Sequence, residues 1–291
     1  MSSSEDIKKI NEVLAHLFGI REIKGIERMG GMTNRTYCVT ADQRYVVRLP
    51  GEGTEQIINR YNEKISTELA NKTGIDAKLY YFDPRSGIKV SEYIEDSQTM
   101  HFKDLQKTVN IVLVAETLRK LHCSGIDTKV PFDVINMAET YEHFILQNNG
   151  SLYDDYTDIK KYIDRVKTEY LPAVKKAPCH NDPLCENWIL QHNCRIYLVD
   201  WEYAGMNDPM WDLADVALEA GLDSTQETLL LKAYLGTDAS EEDWNSFQMN
   251  KVLIDYLWSL WGKARAVYEG EEMEQYALNR YIRMKENMIQ I

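Results

Sequence analysis

Cysteine is scarce in this chain, and what there is forms no framework. Five cysteines among 291 residues are an odd number, and no two are spaced Cys-x-x-Cys. That excludes a disulfide-stapled scaffold and a thioredoxin-like redox motif, and it suits a reducing compartment. Cys179, Cys185, His192 and Cys194 do fall near one another in sequence, but their spacings fit no common zinc motif, so structural zinc is not expected. Long apolar runs are also missing. The best candidate, Val109 to Leu121, is interrupted by Asn110, Glu116, Arg119 and Lys120, so no membrane span is predicted. The opening residues Met1-Ser2-Ser3-Ser4-Glu5-Asp6 show no basic segment leading into an apolar one, so no secretory signal is read and a cytoplasmic location is expected. Positive charge is in deficit: 33 Lys+Arg against 46 Asp+Glu give a net charge of −13. Such a balance argues against nucleic acid or an anionic membrane as a partner and is compatible with a cationic small molecule.

What remains is ample for a large core. A hydrophobic content of 44% with 27% charged residues is ordinary for a globular protein, and this length favours two lobes. Residues 5–18 read as a helix with Ile7, Ile10, Val13, Leu14 and Leu17 on one face. Strand-like runs follow at about 22–29, 35–40 and 44–49. Thr54 is placed to cap a helix reaching Lys72, before Gly74. Two more strands, near 77–82 and 88–93, flank the turn signal Asp83-Pro84-Arg85-Ser86-Gly87. Helical periodicity then dominates 103–123, 135–149, 155–170 and 211–288. The reading is α+β and bilobal: a small antiparallel N-lobe with one main helix over 1–95, then a mainly helical lobe over 96–291.

Between the helical stretches lies His180-Asn181-Asp182-Pro183-Leu184-Cys185-Glu186-Asn187, which spells His-x-Asp-x-x-x-x-Asn. Phosphoryl transfer needs a carboxylate to orient or take the proton of an attacking hydroxyl, and an amide oxygen nearby to hold magnesium. Asp182 and Asn187 stand at that spacing. The apolar run Ile196-Tyr197-Leu198-Val199 then delivers Asp200 to a strand end, a suitable place for a second metal ligand. Upstream, Gly30-Gly31-Met32-Thr33-Asn34 turns between two strands, and glycine there lets backbone approach phosphate. Gly-Gly is also compatible with a plain turn. Arg48 on the third strand and Glu63 on the next helix form a candidate phosphate-binding pair; the alternative is two unrelated surface charges.

Taken together, these segments, with Tyr45-Val46-Val47-Arg48-Leu49-Pro50-Gly51, Leu198-Val199-Asp200-Trp201-Glu202-Tyr203-Ala204, Met206-Asn207-Asp208-Pro209-Met210-Trp211-Asp212-Leu213-Ala214 and Trp258-Ser259-Leu260-Trp261, resemble the choline/ethanolamine kinase family. They are most like its bacterial LicA-type branch, within the wider aminoglycoside-phosphotransferase-like group of the protein kinase-like superfamily. The resemblance implies a kinase using ATP and Mg2+. It makes Asp182 the catalytic base or hydroxyl orienter, Asn187 and Asp200 metal ligands assisted by Glu202, and Asp212 a brace for the catalytic loop. It places Gly31, Met32, Thr33, Asn34, Arg48 and Glu63 around the nucleotide phosphates, and the backbone of Glu92 and Ile94 at the adenine edge. Asp200-Trp201-Glu202 stands where protein kinases carry Asp-Phe-Gly, so no glycine-pivoted activation switch is inferred.

Trp258 and Trp261 share one face of a predicted helix. Indole faces attract a quaternary ammonium, which has no N–H to donate, by about 1–2 kcal/mol each once desolvated. By themselves, at this spacing beside Leu253, Ile254, Leu257 and Leu260, two tryptophans are more often core. The resemblance favours an aromatic box completed by Tyr276, with Glu219 as a carboxylate for the cation. The expected substrate is choline, giving phosphocholine. Ethanolamine, thiamine or an aminoglycoside are alternatives on the same fold, and a catalytically silent nucleotide- or choline-binding regulator is an alternative of another class. A monomer or weak dimer is the expected assembly. The acidic run Glu269 to Glu274 reads as a solvated helix junction.

Overall fold

The computed structural model describes residues 4–30, 34–51, 58–192 and 195–289. Helix α1 (Ser4–Phe18) presents Ile10, Val13 and Leu14 to a five-stranded sheet of β1 (Gly25–Arg28), β2 (Asn34–Thr40), β3 (Arg44–Pro50), β4 (Leu79–Phe82) and β5 (Lys89–Glu92). Every neighbouring pair is antiparallel, in the order β1-β2-β3-β5-β4. Strand alternation decides what each face does. Tyr37, Val39, Tyr45, Val47 and Leu49 pack with α1. Arg48, between two of them, must point the other way, towards helix α2 (Arg60–Thr73).

Helix α2 begins later than the sequence suggests. Thr54 lies outside the described residues, and the cap in the structure is Asn59, whose Oδ1 accepts from the backbone of Tyr61 at 3.1 Å and Asn62 at 3.2 Å. Such a cap contributes about 1 kcal/mol. The helix closes at Gly74, whose φ of 71° is left-handed.

After Tyr93 and Ile94 the chain enters β6 (Ser97–Thr99), then α3 (Phe102–Leu105), α4 (Thr108–His122), α5 (Val134–Gln147) and α6 (Tyr156–Glu169). The single helix expected over 103–123 is therefore two. Asp104 folds back to accept from the backbone of His101 at 3.1 Å, and its carbonyl accepts from Asn110 Nδ2 at 2.9 Å, while Lys107 between the helices is extended. Short strands follow: β7 (Ala177–Cys179), β8 (Trp188–Gln191), β9 (Arg195–Leu198) and β10 (Gly205–Asn207). β6, β8 and β9 form one antiparallel sheet, and β7 pairs with β10. These small sheets frame the motif region, with His180–Asn187 running between β7 and β8 and Asp200–Glu202 between β9 and β10.

The chain ends in α7 (Pro209–Ala220), α8 (Ser224–Leu235), α9 (Glu241–Glu269) and α10 (Glu271–Met288). Helix α9 is buried along much of its length and forms the axis of the helical core with α5, α7 and α10. A β-carbon on Gly262 would stand 2.8 Å from Tyr276 Cδ1 and 3.0 Å from Ala277 Cβ. Glycine at that position lets α10 lie directly against α9. No described helix is long and apolar enough to cross a membrane.

Candidate active site

The His180–Asn187 loop is fixed from below by one carboxylate. Asp212, in the first turn of α7, accepts from the backbone N–H of His180 and of Asn181, both at 2.8 Å, through its two different oxygens. His122 Nε2 lies 3.0 Å from the same group. Asn181 carries a left-handed backbone, φ 68°, which asparagine tolerates better than most residues. Its side chain is held on both sides: Nδ2 donates to Tyr203 O at 2.9 Å and Oδ1 accepts from Asn207 Nδ2 at 2.9 Å. His180 is fully buried, and burial pushes its imidazole below the usual value. A neutral ring then donates from Nε2 to Val199 O, 3.0 Å away. This ties the His180 loop to the strand end that presents Asp200.

Asp182 projects from this clamped loop into a crowd of acids. Burial first, then Asp215, Glu202, Asp200 and Glu219, push its carboxyl well above the ordinary range. A carboxyl raised in this way is a better proton acceptor than a solvated one. The Asn187 amide nitrogen donates to the Asp182 carbonyl at 2.9 Å, which ties one end of the loop to the other. Asp200 also sits in a left-handed conformation, φ 70°.

The second half of the site is built from the N-terminal sheet and α2. Arg48 is bonded to Glu63 and reaches across to Asp200 Oδ1 at 3.2 Å. Both Arg48 and Glu63 are buried, so the alternative of unrelated surface charges is wrong. Desolvation alone would raise the Glu63 carboxyl, but Arg48, Lys89 and Arg60 outweigh it and hold it at about 2. Asn34 Nδ2 donates to Glu202 Oε2 at 2.9 Å. Arg60, which the sequence reading missed, ties these groups together. It bonds Glu63 Oε2 at 2.7 Å, Asn34 Oδ1 at 3.0 Å and Glu202 Oε2 at 3.3 Å. Its position three residues before Glu63 on a helix was the available signal. Burial, then Asp200, raise the Glu202 carboxyl against the pull of Arg48. Asp76 was missed as well: burial lifts it to about 7 although Lys89 pulls it down. Gly31, Met32 and Thr33 lie outside the described residues.

Glu92 ends β5, with its N–H given to Lys78 O at 2.8 Å, and Ile94 is buried just beyond it in a small cluster with Ala77 and Tyr197. An aromatic row begins at Tyr203, whose carbonyl accepts from Asn181 beside Asp182. Tyr203 meets Trp258 edge-on with ring centroids 5.1 Å apart, Trp258 meets Trp261 at 6.1 Å, and Trp261 meets Tyr276 at 5.8 Å. Trp258 and Trp261 are also members of the helical core, as the core reading of the pair expects. Tyr203 was not singled out from sequence. Glu219 is ion-paired with Arg280 at 2.7 Å and lies 3.6 Å from Arg283.

The site thus combines the raised carboxyl of Asp182, acids bonded to two arginines, and a row of aromatic rings. Comparison with known proteins gives a consistent result. Residues 26–247 match the family model for choline/ethanolamine kinases. Protein LicA of Haemophilus influenzae is 29% identical over 262 residues, covering 87% of this chain and 76% of that protein. The crystal structure of choline kinase LicA from Streptococcus pneumoniae is similar with a TM-score of 0.85 and 33% identity, covering 99% of this chain and 100% of that one. LicA in complex with AMP gives a TM-score of 0.83 at 33% identity over 99% of each chain.

Proposed function

This chain belongs to the choline/ethanolamine kinase family, a phosphotransferase acting on choline-like alcohols, and from that premise we propose that it phosphorylates choline with ATP and magnesium. The observation that carries the choice is the aromatic row. Asn181, next to Asp182, bonds the carbonyl of Tyr203, and the Tyr203 ring opens the sequence of Trp258, Trp261 and Tyr276. A quaternary ammonium needs such faces because it offers no N–H.

In this reading Asp182 accepts the proton of the choline hydroxyl while that oxygen forms a bond to the γ-phosphorus. The bond from γ-phosphorus to the β,γ-bridging oxygen breaks, and ADP leaves with phosphocholine as product. Arg48, held by Glu63, contacts the nucleotide phosphates, together with Asn34 and the Gly31–Thr33 backbone. Glu92 and Ile94 offer backbone groups to the adenine edge. Asn187, Asp200 and Glu202 present hard oxygen donors whose crowding a divalent cation would relieve, so the set fits magnesium. When bound, magnesium neutralises phosphate charge. Trp258, Trp261, Tyr276 and Glu219 receive the cationic head.

We propose the division at 95/96 as the boundary between a nucleotide-binding and a catalytic lobe, and a cytoplasmic, monomeric or weakly dimeric enzyme. A coupled assay of ADP release with choline, ethanolamine, thiamine and kanamycin tests the reading. Choline should give the highest kcat/KM, and no turnover with choline would refute it.

A further inference from the structure

We propose that Arg280 selects a quaternary over a primary ammonium in the substrate by neutralising Glu219. The proposal rests on reading this pocket as an amino-alcohol site. Arg280 stands four residues after Tyr276 on α10, one turn along the same face. Its guanidinium lies over the Tyr276 ring, 4.9 Å from the centroid, and pairs with Glu219 of α7 at 2.7 Å. It also reaches Asp255 of α9 at 3.3 Å, one turn before Trp258. Three helices thus bring one buried cation to the Tyr276 end of the aromatic row.

The local charges cancel. Arg280 and Arg283 face Glu219 and Asp255, with Arg283 bonded to Asp255 at 2.8 and 2.7 Å and 3.6 Å from Glu219. Asp215, four residues before Glu219 on α7, has no hydrogen-bond partner. Burial raises its carboxyl well above the ordinary range, which disfavours a further negative charge there. Arginine stays protonated, so Glu219 meets the substrate as half of an ion pair. A primary ammonium brings three N–H donors, and donors stripped of water without a free acceptor are costly. A quaternary ammonium has no N–H to leave unpaired and is held by ring faces. Arg280 therefore penalises ethanolamine and spares choline.

The test is the ratio of kcat/KM for choline to that for ethanolamine, in which effects on the shared phosphoryl transfer cancel. Arg280→Met should lower this ratio by about tenfold or more, with KM for ATP unchanged. Arg280→Lys keeps a cation and should hold the ratio near that of wild type. Adding Glu219→Gln to Arg280→Met should reverse most of the change, because the released carboxylate is then gone. An unchanged ratio in folded Arg280→Met, an equal fall in Arg280→Lys, or a fall that survives Glu219→Gln overturns the proposal alone. Should Arg280→Met not fold, as judged by circular dichroism, Glu219→Gln by itself is read in the same assay. A carboxylate already neutralised predicts an unchanged ratio there, and a changed one overturns the proposal. A wild-type enzyme that phosphorylates neither alcohol overturns the amino-alcohol reading, and the proposal with it.

Discussion

The amide nitrogen of Asn187 is bonded to the carbonyl oxygen of Asp182 at 2.9 Å, so one side chain closes the loop with its nitrogen and keeps its oxygen, the proposed metal ligand, out of that bond. Replacing it therefore removes two things at once. Asn187→Ala should lower kcat and raise the magnesium concentration needed for half-maximal rate, as a titration of activity against free magnesium would reveal. An unchanged magnesium requirement would exclude Asn187 as a ligand.

Asp182→Asn keeps the shape of the loop but not the proton acceptor. Turnover should fall by about 10²–10⁴-fold, with nucleotide binding by calorimetry near wild type. A variant with full turnover would remove Asp182 from its proposed role.

Asp212 acts on the geometry of the loop, not on substrate. In Asp212→Asn one acceptor oxygen is lost, and a buried N–H of His180 or Asn181 is left without a partner, costing about 1–3 kcal/mol of stability. Misplacing Asp182 by a fraction of an ångström should cost roughly tenfold to a hundredfold in kcat. Thermal melts and steady-state kinetics on the same preparation check both effects together.

Glu63 gives a pH signature. Its folded value of about 2 lies below the ordinary 4.5, so its contribution to stability is complete above about 4.5 and fades as pH falls towards 2. Glu63→Gln should therefore lower the melting temperature clearly at neutral pH, and the gap from wild type should close between about pH 4.5 and 2. A gap independent of pH would contradict the buried pairing with Arg48.

Trp258→Phe keeps an aromatic face but a weaker one. It should reduce kcat/KM for choline about threefold to thirtyfold and that for ethanolamine by less, since ethanolamine retains N–H donors. Equal losses for the two substrates would assign Trp258 to the core alone.

Most of the fold was legible because its signals are local. Alternation in β2 and β3, the Asp83–Gly87 turn and the long periodic helices α9 and α10 each carry their own pattern. The elements misjudged depend on partners distant in sequence. The start of α2 rests on Asn59, the break at Lys107 on a fold-back by Asp104, and the short strands β6, β7 and β10 on pairing across the chain. The site divides in the same way. Asp182, Asn187 and Asp200 announce themselves by spacing, whereas Arg60, Asp76 and Asp215 gain meaning only from the burial that surrounds them.

The passage between the lobes, residues 93–96, is held from both ends. Arg44 of β3 pairs with the Glu95 carboxylate, and Gln191 of β8 donates to the Glu95 carbonyl at 2.8 Å. A tether so short and so anchored sets the spacing of the sheet and helical regions beside Ile94. Away from it, Asn34 and Arg60 bond Glu202, and Arg48 bonds Asp200. The groups proposed to meet phosphate and metal are thus also groups that join the two regions.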